Sequence, residues 1–472
     1  MKINRWHQIT KFWKSISTGS VNRKIFSAAI IVAGGTVVVK AVAVVKELIV
    51  AAQFGTADEL DAFLIALIIP SVIVNVIADS FNSALIPNYI KVREQEGKQA
   101  AQKLFASATV GSIGLLLATT LLLIFGSPFY LPYITRGFSP QKLDLTYHLL
   151  WTISPMILIS GINATWHAIL NAGERFVLIA LTPILTPAVT IVLLLGMKTM
   201  GVYNLPIGMV LGQLFEMMII GVALHAQGIS LLPKWHGFDH NLNQILSQYL
   251  PMMGAAFFMT SSGLIDQSMA AMLPSGSVSA LGYGEKIITL PIVIANTALS
   301  AAVMPYFSKM FAQNDWKGLR RSLDSYLGLI FAATIPLVGL ILLFSEQIVR
   351  ILLQRGSFTA ENTHLVAQIQ ACFALQIPFY IGCILVVRLT STLQMGKILM
   401  WGSVANMIVN VGLNYLMMQW LGVAGIALST SFVYLFSFLF LLFFLVRNLR
   451  ALEIHDLIIE SDAAETASQE LL

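Results

Sequence analysis

The sequence predicts an all-α polytopic membrane protein of about twelve transmembrane helices, arranged as two parallel six-helix repeats around a central cavity. Three observations predict it. Of the 472 residues, 57% are hydrophobic and 11% charged, whereas soluble domains carry about 25% charged residues. Continuous apolar runs of roughly 20 residues, the length that crosses a bilayer, recur along the whole chain. A membrane β-barrel would show alternating segments of about ten residues instead. Lys and Arg also gather on alternate loops, as the positive-inside rule requires of a multi-pass protein.

Taken in order, residues 1–24 hold six Lys or Arg, no acidic residue, and Trp6, Phe12 and Trp13. That composition fits a basic segment on the cytoplasmic leaflet or a disordered tail. The apolar run from Ile25 exceeds the 7–15 residues of a signal-peptide core, so no cleaved leader is expected. Spans are predicted at 25–54, 59–90, 104–126, 144–170, 177–197 and 204–227. A cytoplasmic linker follows at 228–243. Six more spans lie at 244–273, 279–308, 323–345, 363–393, 399–419 and 424–446. The first half is thus 25–227 and the second 244–446. Residues 447–472 read as an acidic, disordered cytoplasmic tail, too polar to span. Pro70, Pro155, Pro183, Pro187, Pro251, Pro291, Pro336 and Pro378 fall inside spans and bend helices there. Of the 28 Lys and Arg, 19 lie on the N-terminus, the even loops and the C-terminal flank, and five on the odd loops. Both termini are therefore expected in the cytoplasm of a bacterial inner-membrane protein.

The halves echo each other. Asn82-Ser-Ala-Leu-Ile-Pro87 is followed by Lys91, and Ser300-Ala-Ala-Val-Met-Pro305 by Lys309. Arg136-Gly-Phe-Ser139 parallels Arg355-Gly-Ser-Phe-Thr359. Pro155 stands 16 residues before Asn171, and Pro378 stands 16 before Gln394. Six helices per half keep the two copies in one orientation, a parallel repeat.

The other four Lys and Arg lie within apolar spans, Lys40, Lys46, Lys286 and Arg388, with acidic residues that include Glu47, Asp61 and Glu285. A charge at mid-bilayer costs about 2.5–3.5 kcal/mol on insertion scales, so such residues face polar cavities and act there. Neighbours on a helix point about 100° apart, so neither Lys46 and Glu47 nor Glu285 and Lys286 are expected to close on each other. Lys46 and Lys286 are candidates to hold an anion in one shared cavity, against an interhelical ion pair. Lys40 lies deeper in that cavity or satisfies a carboxylate. Arg388 joins the anion site or pairs with Glu216 or Asp266. Asp61 is a gate or a helix cap, Glu47 and Glu285 are ion-pair or gate residues, and Asp79 is a cation-coupling candidate. His148, His167 and His225 show no ligand spacing, and Cys372 and Cys383 no redox or metal spacing. No metal site, catalytic constellation or nucleic-acid-binding feature is expected, and an integral-membrane enzyme is disfavoured.

Lys46-Glu-Leu-Ile-Val-Ala-Ala-Gln-Phe-Gly55, Asp61-Ala-Phe, Pro70 and Ala84-Leu-Ile-Pro87 resemble the opening of the MurJ/MviN lipid II flippases, of the MOP exporter superfamily. Gly276-Ser-Val-Ser279, Tyr283, Glu285-Lys286 and Met304-Pro-Tyr-Phe-Ser-Lys309 are similar to the start of that family's second half. Arg355-Gly-Ser-Phe-Thr359 looks like its loop before helix ten. The resemblance implies a MATE-like fold and a flippase moving a polyprenyl-diphosphate-linked glycan from inner to outer leaflet by alternating access. The partners would be the lipid-linked substrate, the bilayer and cell-wall or polysaccharide assembly proteins. No cofactor is implied beyond coupling to membrane potential, H⁺ or Na⁺. The family's cavity arginines match Lys40, Lys46 and Lys286, its acidic partners Glu47 and Glu285, and its early Asp matches Asp61. The chain departs from the family at Ser71-Val-Ile-Val-Asn75, where the family has paired arginines, and after Arg450, where the family has two further helices. Export of exopolysaccharide or O-antigen repeat units, or cation-coupled drug antiport, are the alternatives. A cationic cavity disfavours the last, because exported drugs are mostly cations.

Overall fold

The computed structural model describes residues 21–173, 175–229, 231, 234–237, 240–393 and 395–470. The basic segment 1–24 lies mostly outside the described residues. Twelve long helices follow the predicted spans. They are α1 (Val21–Phe54), α2 (Asp58–Gln95), α3 (Lys98–Ile134), α4 (Pro140–Asn171), α5 (Phe176–Gly196) and α6 (Asn204–His225), then α7 (His240–Ala270), α8 (Ser277–Ala312), α9 (Trp316–Leu353), α10 (Ala360–Thr392), α11 (Gly396–Leu421) and α12 (Val423–Glu470). Among the described residues, nine helices are long and apolar enough to cross a membrane.

Local chemistry sets the helix ends. Asp58, Glu59 and Asp61 occupy the first turn of α2, where carboxylates offset the positive end of the helix dipole. The Asp315 carboxylate accepts from the Gly318 N–H at 2.8 Å and starts α9. The Thr359 hydroxyl accepts from the Asn362 N–H and starts α10. Both are side-chain N-caps. Prolines shape the interiors. Four residues after Pro70, α2 passes through a π-helical stretch, Val74–Asp79. The fourth helix breaks at Ser154, just before Pro155, and the tenth breaks at Leu375, just before Pro378. The matching breaks place the sequence repeat in the backbone, because each ring removes a donor and clashes with the preceding turn.

The helices present opposite faces to different surroundings. On α3, Leu116, Leu123 and Leu131 are buried, while Leu122, Phe125 and Phe129 are each more than 70% exposed. On α9, Leu323, Leu327 and Ile330 are buried, while Leu329 and Leu343 are exposed. Large apolar side chains on the outside suit contact with lipid. Polar groups within the spans turn back onto their own helix, as Thr109 and Thr120 do by donating to carbonyls one turn earlier at 2.7 Å, which satisfies them without water.

The described chain forms two compact units. Unit 1 comprises the described residues within Met1–Phe54, Ala62–Tyr133 and Pro140–Phe257, and unit 2 those within Gly55–Asp61, Ile134–Ser139 and Phe258–Leu472. The division falls inside α7, beyond the 228–243 segment. The first half of α7 belongs to unit 1 because Leu242, Ile245 and Tyr249 are buried there. The Tyr249 hydroxyl donates to the Ile77 carbonyl, and the Asn88 side chain donates to Gln248.

One expectation is overturned. Residues 447–470 do not form a disordered tail but continue α12 as one helix to Glu470. No Gly or Pro follows Gly425 up to that point, and the segment is rich in Ala, Leu and Glu, all strong helix formers. Near its start Glu453 pairs with Arg320 at 3.4 Å.

Candidate functional site

The most elaborated polar cluster in unit 2 lies at the amino end of α8. Asp61 is 1% exposed. One of its carboxylate oxygens accepts from the Gly276 N–H and the other from the Ser279 N–H, both at 2.8 Å. The first N–H groups of a helix have no intrahelical partner, so a carboxylate there both satisfies donors and meets the dipole. Asp61 therefore acts as a cap, supplied by a residue 218 positions away in sequence. The segment around it is fastened to unit 2 at further points. Ser275 donates to Asp58 at 2.6 Å, and Thr56 donates to Asn362 at 2.9 Å. Gly276 has φ +85°, and a Cβ there would stand 2.7 Å from the Thr56 carbonyl oxygen. Gly55, at φ +55°, approaches the Ser357 carbonyl as closely. The Arg-Gly loops of both repeats lie in this unit, and Gly137 lies against the backbone of Ala271 and Met272.

A cavity of about 580 Å³ opens within unit 2 among α7, α8, α10, α11 and α12. Arg388 lines it, with Asp266, Asn296, Tyr380, Asn406 and Tyr434. The Asp266 carboxylate accepts from Asn414 at 2.6 Å, from Asn410 at 3.0 Å and from the Thr430 hydroxyl at 3.3 Å. All three donors are neutral. A half-buried carboxylate lining a cavity and framed by neutral amides and a hydroxyl is a place for a proton or a small cation. Among the described residues no group of three His, Cys, Asp or Glu is arranged to hold a metal ion.

The other predicted residues are distributed as follows. Lys46 and Glu47 do close on each other, with Nζ 2.6 Å from Oε1 and both side chains 23% exposed. The expectation that adjacent residues cannot bridge is corrected: the Lys stem and the Glu side chain are long enough to fold back across the 100° between them. Lys40 is exposed on α1, and Glu285 and Lys286 are exposed on α8. Lys286 Nζ sits 5.8 Å from the centre of the Tyr283 ring, within cation–π range. Asp79 ends the π-helical stretch of α2, and its side chain lies outside the described residues.

Two features escaped the sequence. Glu216, considered as a partner for Arg388, is bound instead by His167 at 3.1 Å. Asp266, the other suggested partner, is met by Asn410 and Asn414. Two Asn spaced four apart in an apolar span share one helix face, and that spacing was the available signal.

Twelve helices in two repeats, apolar outside and polar at a few buried points, define an integral-membrane transporter fold. The chain belongs to the MurJ family: the family model described as Lipid II flippase MurJ matches residues 50–465. A relative from Synechocystis sp., described as a probable lipid II flippase MurJ, is 25% identical over 455 residues, covering 93% of this chain and 84% of its own. One from Thermotoga maritima, under the same description, is 27% identical over 413 residues, covering 86% and 82%. Among solved structures, a lipid II flippase MurJ in an inward closed conformation matches with TM-score 0.75 at 22% identity, covering 91% of both chains. An inward-facing MATE-family multidrug transporter of the MOP superfamily matches with TM-score 0.74 at 15% identity, covering 86% of this chain and 95% of its own. The solved structures show a shared fold, and the family match with nine apolar helices among the described residues makes the chain a multi-pass inner-membrane protein.

Proposed function

We propose that this protein is a flippase that moves lipid II, a polyprenyl-diphosphate-linked glycan, from the inner to the outer leaflet of the bacterial inner membrane. The family match over residues 50–465 carries this. The similarity to drug exporters is one of fold at 15% identity, whereas the sequence relatives named above are lipid II flippases. Export of other lipid-linked repeat units and drug antiport are accordingly the weaker alternatives.

In this proposal Lys46 and Lys286 carry the diphosphate charge, with Lys40 and Arg388 as auxiliary cations. Lysine offers a compact point charge with three donors, adequate for phosphate oxygens without arginine's fork. Glu47 holds Lys46 when substrate is absent and yields it when an anion arrives. Glu285 is proposed to do the same beside Lys286. Asp61 is proposed as a gate residue, because the 55–61 segment leaves the end of α8 only when both of its hydrogen bonds break. Coupling to H⁺, Na⁺ or membrane potential is assigned to a carboxylate at Asp79 or Asp266. Both termini are placed in the cytoplasm by the charge asymmetry of the loops. Translocation needs no covalent step, so the protein is proposed to be a transporter without enzymatic activity. Cell-wall assembly proteins are its proposed partners.

The test is reconstitution. Purified protein in vesicles loaded with lipid II in one leaflet should expose it in the other, as read by an impermeant glycan-modifying reagent. Vesicles with lipid II that stay protected would refute the proposal.

A further inference from the structure

Three helices of unit 2 each turn one stripe of side chains onto the cavity of about 580 Å³. On α10 the stripe runs through Tyr380, Cys383 and Arg388, on α11 through Ser403 and Asn406, and on α12 through Tyr434 and Ser437. Such spacings keep each set on one helix face. The stripes meet at one level: Cys383 stands 3.6 Å from the Ser437 hydroxyl, and the Asn406 amide donates to that same hydroxyl at 3.0 Å. Earlier on both helices the Ser431 hydroxyl donates to the Cys372 carbonyl, so α10 and α12 run in the same direction. α11 runs the opposite way, since Asn410, one turn past Asn406, meets the same Asp266 as Thr430, which precedes Ser437. Arg388 therefore lies on the far side of that level from Asp266, about 7.5 Å beyond Cys383 along α10 at 1.5 Å per residue.

The lining is polar but almost uncharged. Among the described residues Arg388 and Asp266 are its only charged members, and Asp266 is already held by three neutral donors. The Asn406 side-chain oxygen is buried with no hydrogen-bond partner, while the amide nitrogen is fixed on Ser437. An acceptor left over in this way calls for an N–H or O–H donor. The Tyr380 and Tyr434 rings lie 4.5 Å apart between centres, tilted by 54°. Aromatic faces carry negative charge and attract the positive edges of C–H bonds. The volume falls in the range of small-molecule sites, roughly 300–1,000 Å³. An isoprenoid tail here would take water from Asn406, Ser403 and Ser437 and return no hydrogen bond. A peptide bearing several carboxylates would meet one arginine. A neutral ring with hydroxyl and acetamido groups matches the donors, the acceptors and the aromatic pair together.

We propose that this cavity is a sugar subsite. It seats an acetamido-bearing ring of the glycan against Tyr380 and Tyr434. The acetamido N–H donates to Asn406 Oδ1, and the phosphate end of the ring points toward Arg388. The inference rests on the transport function above and adds which part of the substrate unit 2 holds. It calls on neither the Asp266 carboxylate nor the lysines.

Saturation-transfer NMR on the full-length, detergent-purified protein tests this without any transport step. The probe is N,N′-diacetylchitobiose, a neutral disaccharide with two acetamido groups. Wild type should transfer saturation to its acetamido methyl protons and should transfer none to maltose, which lacks them. Asn406→Leu removes the acceptor and should weaken binding roughly tenfold, the scale of one buried hydrogen bond. Ser403→Leu leaves the Asn406–Ser437 bond in place and narrows the cavity, so it should weaken binding as well, and it decides the matter if Asn406→Leu fails to fold. No transfer in folded wild type, equal transfer to maltose, or undiminished transfer in the folded variants would overturn the proposal. Lipid II translocation in vesicles is measured beside it. Disaccharide binding by a wild type that moves no lipid II would fell the transport function and leave the sugar site standing. Translocation without disaccharide binding would do the reverse.

Discussion

The two units share a helix order but differ in what they bury. At the 223-residue offset between Pro155 and Pro378, Ser160 of unit 1 corresponds to Cys383 of unit 2, Asn163 to Val386 and His167 to Thr390. In unit 1 the α4–α6 pair is joined by three polar rungs ending in an ionisable pair. In unit 2, within the matching α10–α12 pair, Cys383 lies 3.6 Å from Ser437 and the Ser431 hydroxyl donates to the Cys372 carbonyl at 2.7 Å, while Thr390 bonds its own helix. The polar residues of unit 2 have moved to α7 and α11, where they surround Asp266 and leave a cavity. A repeat thus preserves bends and spans, which packing and the bilayer enforce. Buried polar groups are free to change helix, provided each finds a partner.

The comparison can be broken most sharply at the cations, one in each unit. Lys46→Ala and Lys286→Ala should each reduce lipid II translocation to background with insertion unchanged, and Lys→Arg should retain it. Charge reversal to Glu should be worse than Ala, because it repels the diphosphate. Vesicle assays at matched protein density decide this. Wild-type rates in both Ala variants would remove the anion role from both.

The next effect belongs to unit 2 alone. Asp61→Ala orphans two N–H groups at the start of α8, a loss of roughly 1–3 kcal/mol for each buried donor left unsatisfied. Asp61→Asn keeps one acceptor and should fall between. The thermal midpoint, with labelling of a cysteine placed at Ser275, reports whether the 55–61 segment has come away. Unchanged labelling in Asp61→Ala would show that the other contacts suffice.

Around Asp266, Asn414→Leu removes the shortest of three hydrogen bonds to a charged group, each worth about 1.5–3 kcal/mol. A drop in thermal midpoint is expected, larger than for Asn410→Leu, whose bond is longer. Equal midpoints would mean that Asp266 re-pairs freely within the cavity. The smallest effect is at Glu453, whose 3.4 Å bond to Arg320 is partly exposed, where ion pairs contribute about 0–1 kcal/mol. Glu453→Gln should leave both midpoint and transport within error, and removal of residues 455–472 should leave transport intact. Transport lost on that removal would give α12's extension a role in moving substrate.

The twelve helices were legible because length and apolar continuity act locally, but their ends were less so: α3 (Lys98–Ile134) and α9 (Trp316–Leu353) overrun the expected 104–126 and 323–345. Asp61 was legible as a cap or gate from its place in the first turn of α2, but its partners 215 and 218 residues away depend on tertiary packing that no local pattern encodes. The Lys46–Glu47 contact was missed because helix geometry fixes Cβ directions and leaves long side chains free. The helical 447–470 segment was not legible because an acidic, polar terminal stretch has the composition of a disordered tail as well as that of a helix. His167 and Glu216 lie 49 residues apart, and only the packing of α4 on α6 unites them.

The most direct measurement is translocation of lipid II in vesicles by wild type beside the Lys46→Ala and Lys286→Ala proteins. The account predicts rapid exposure of lipid II in the far leaflet with wild type and none above protein-free vesicles with either variant. No exposure with folded wild type, or equal exposure with all three, would contradict it.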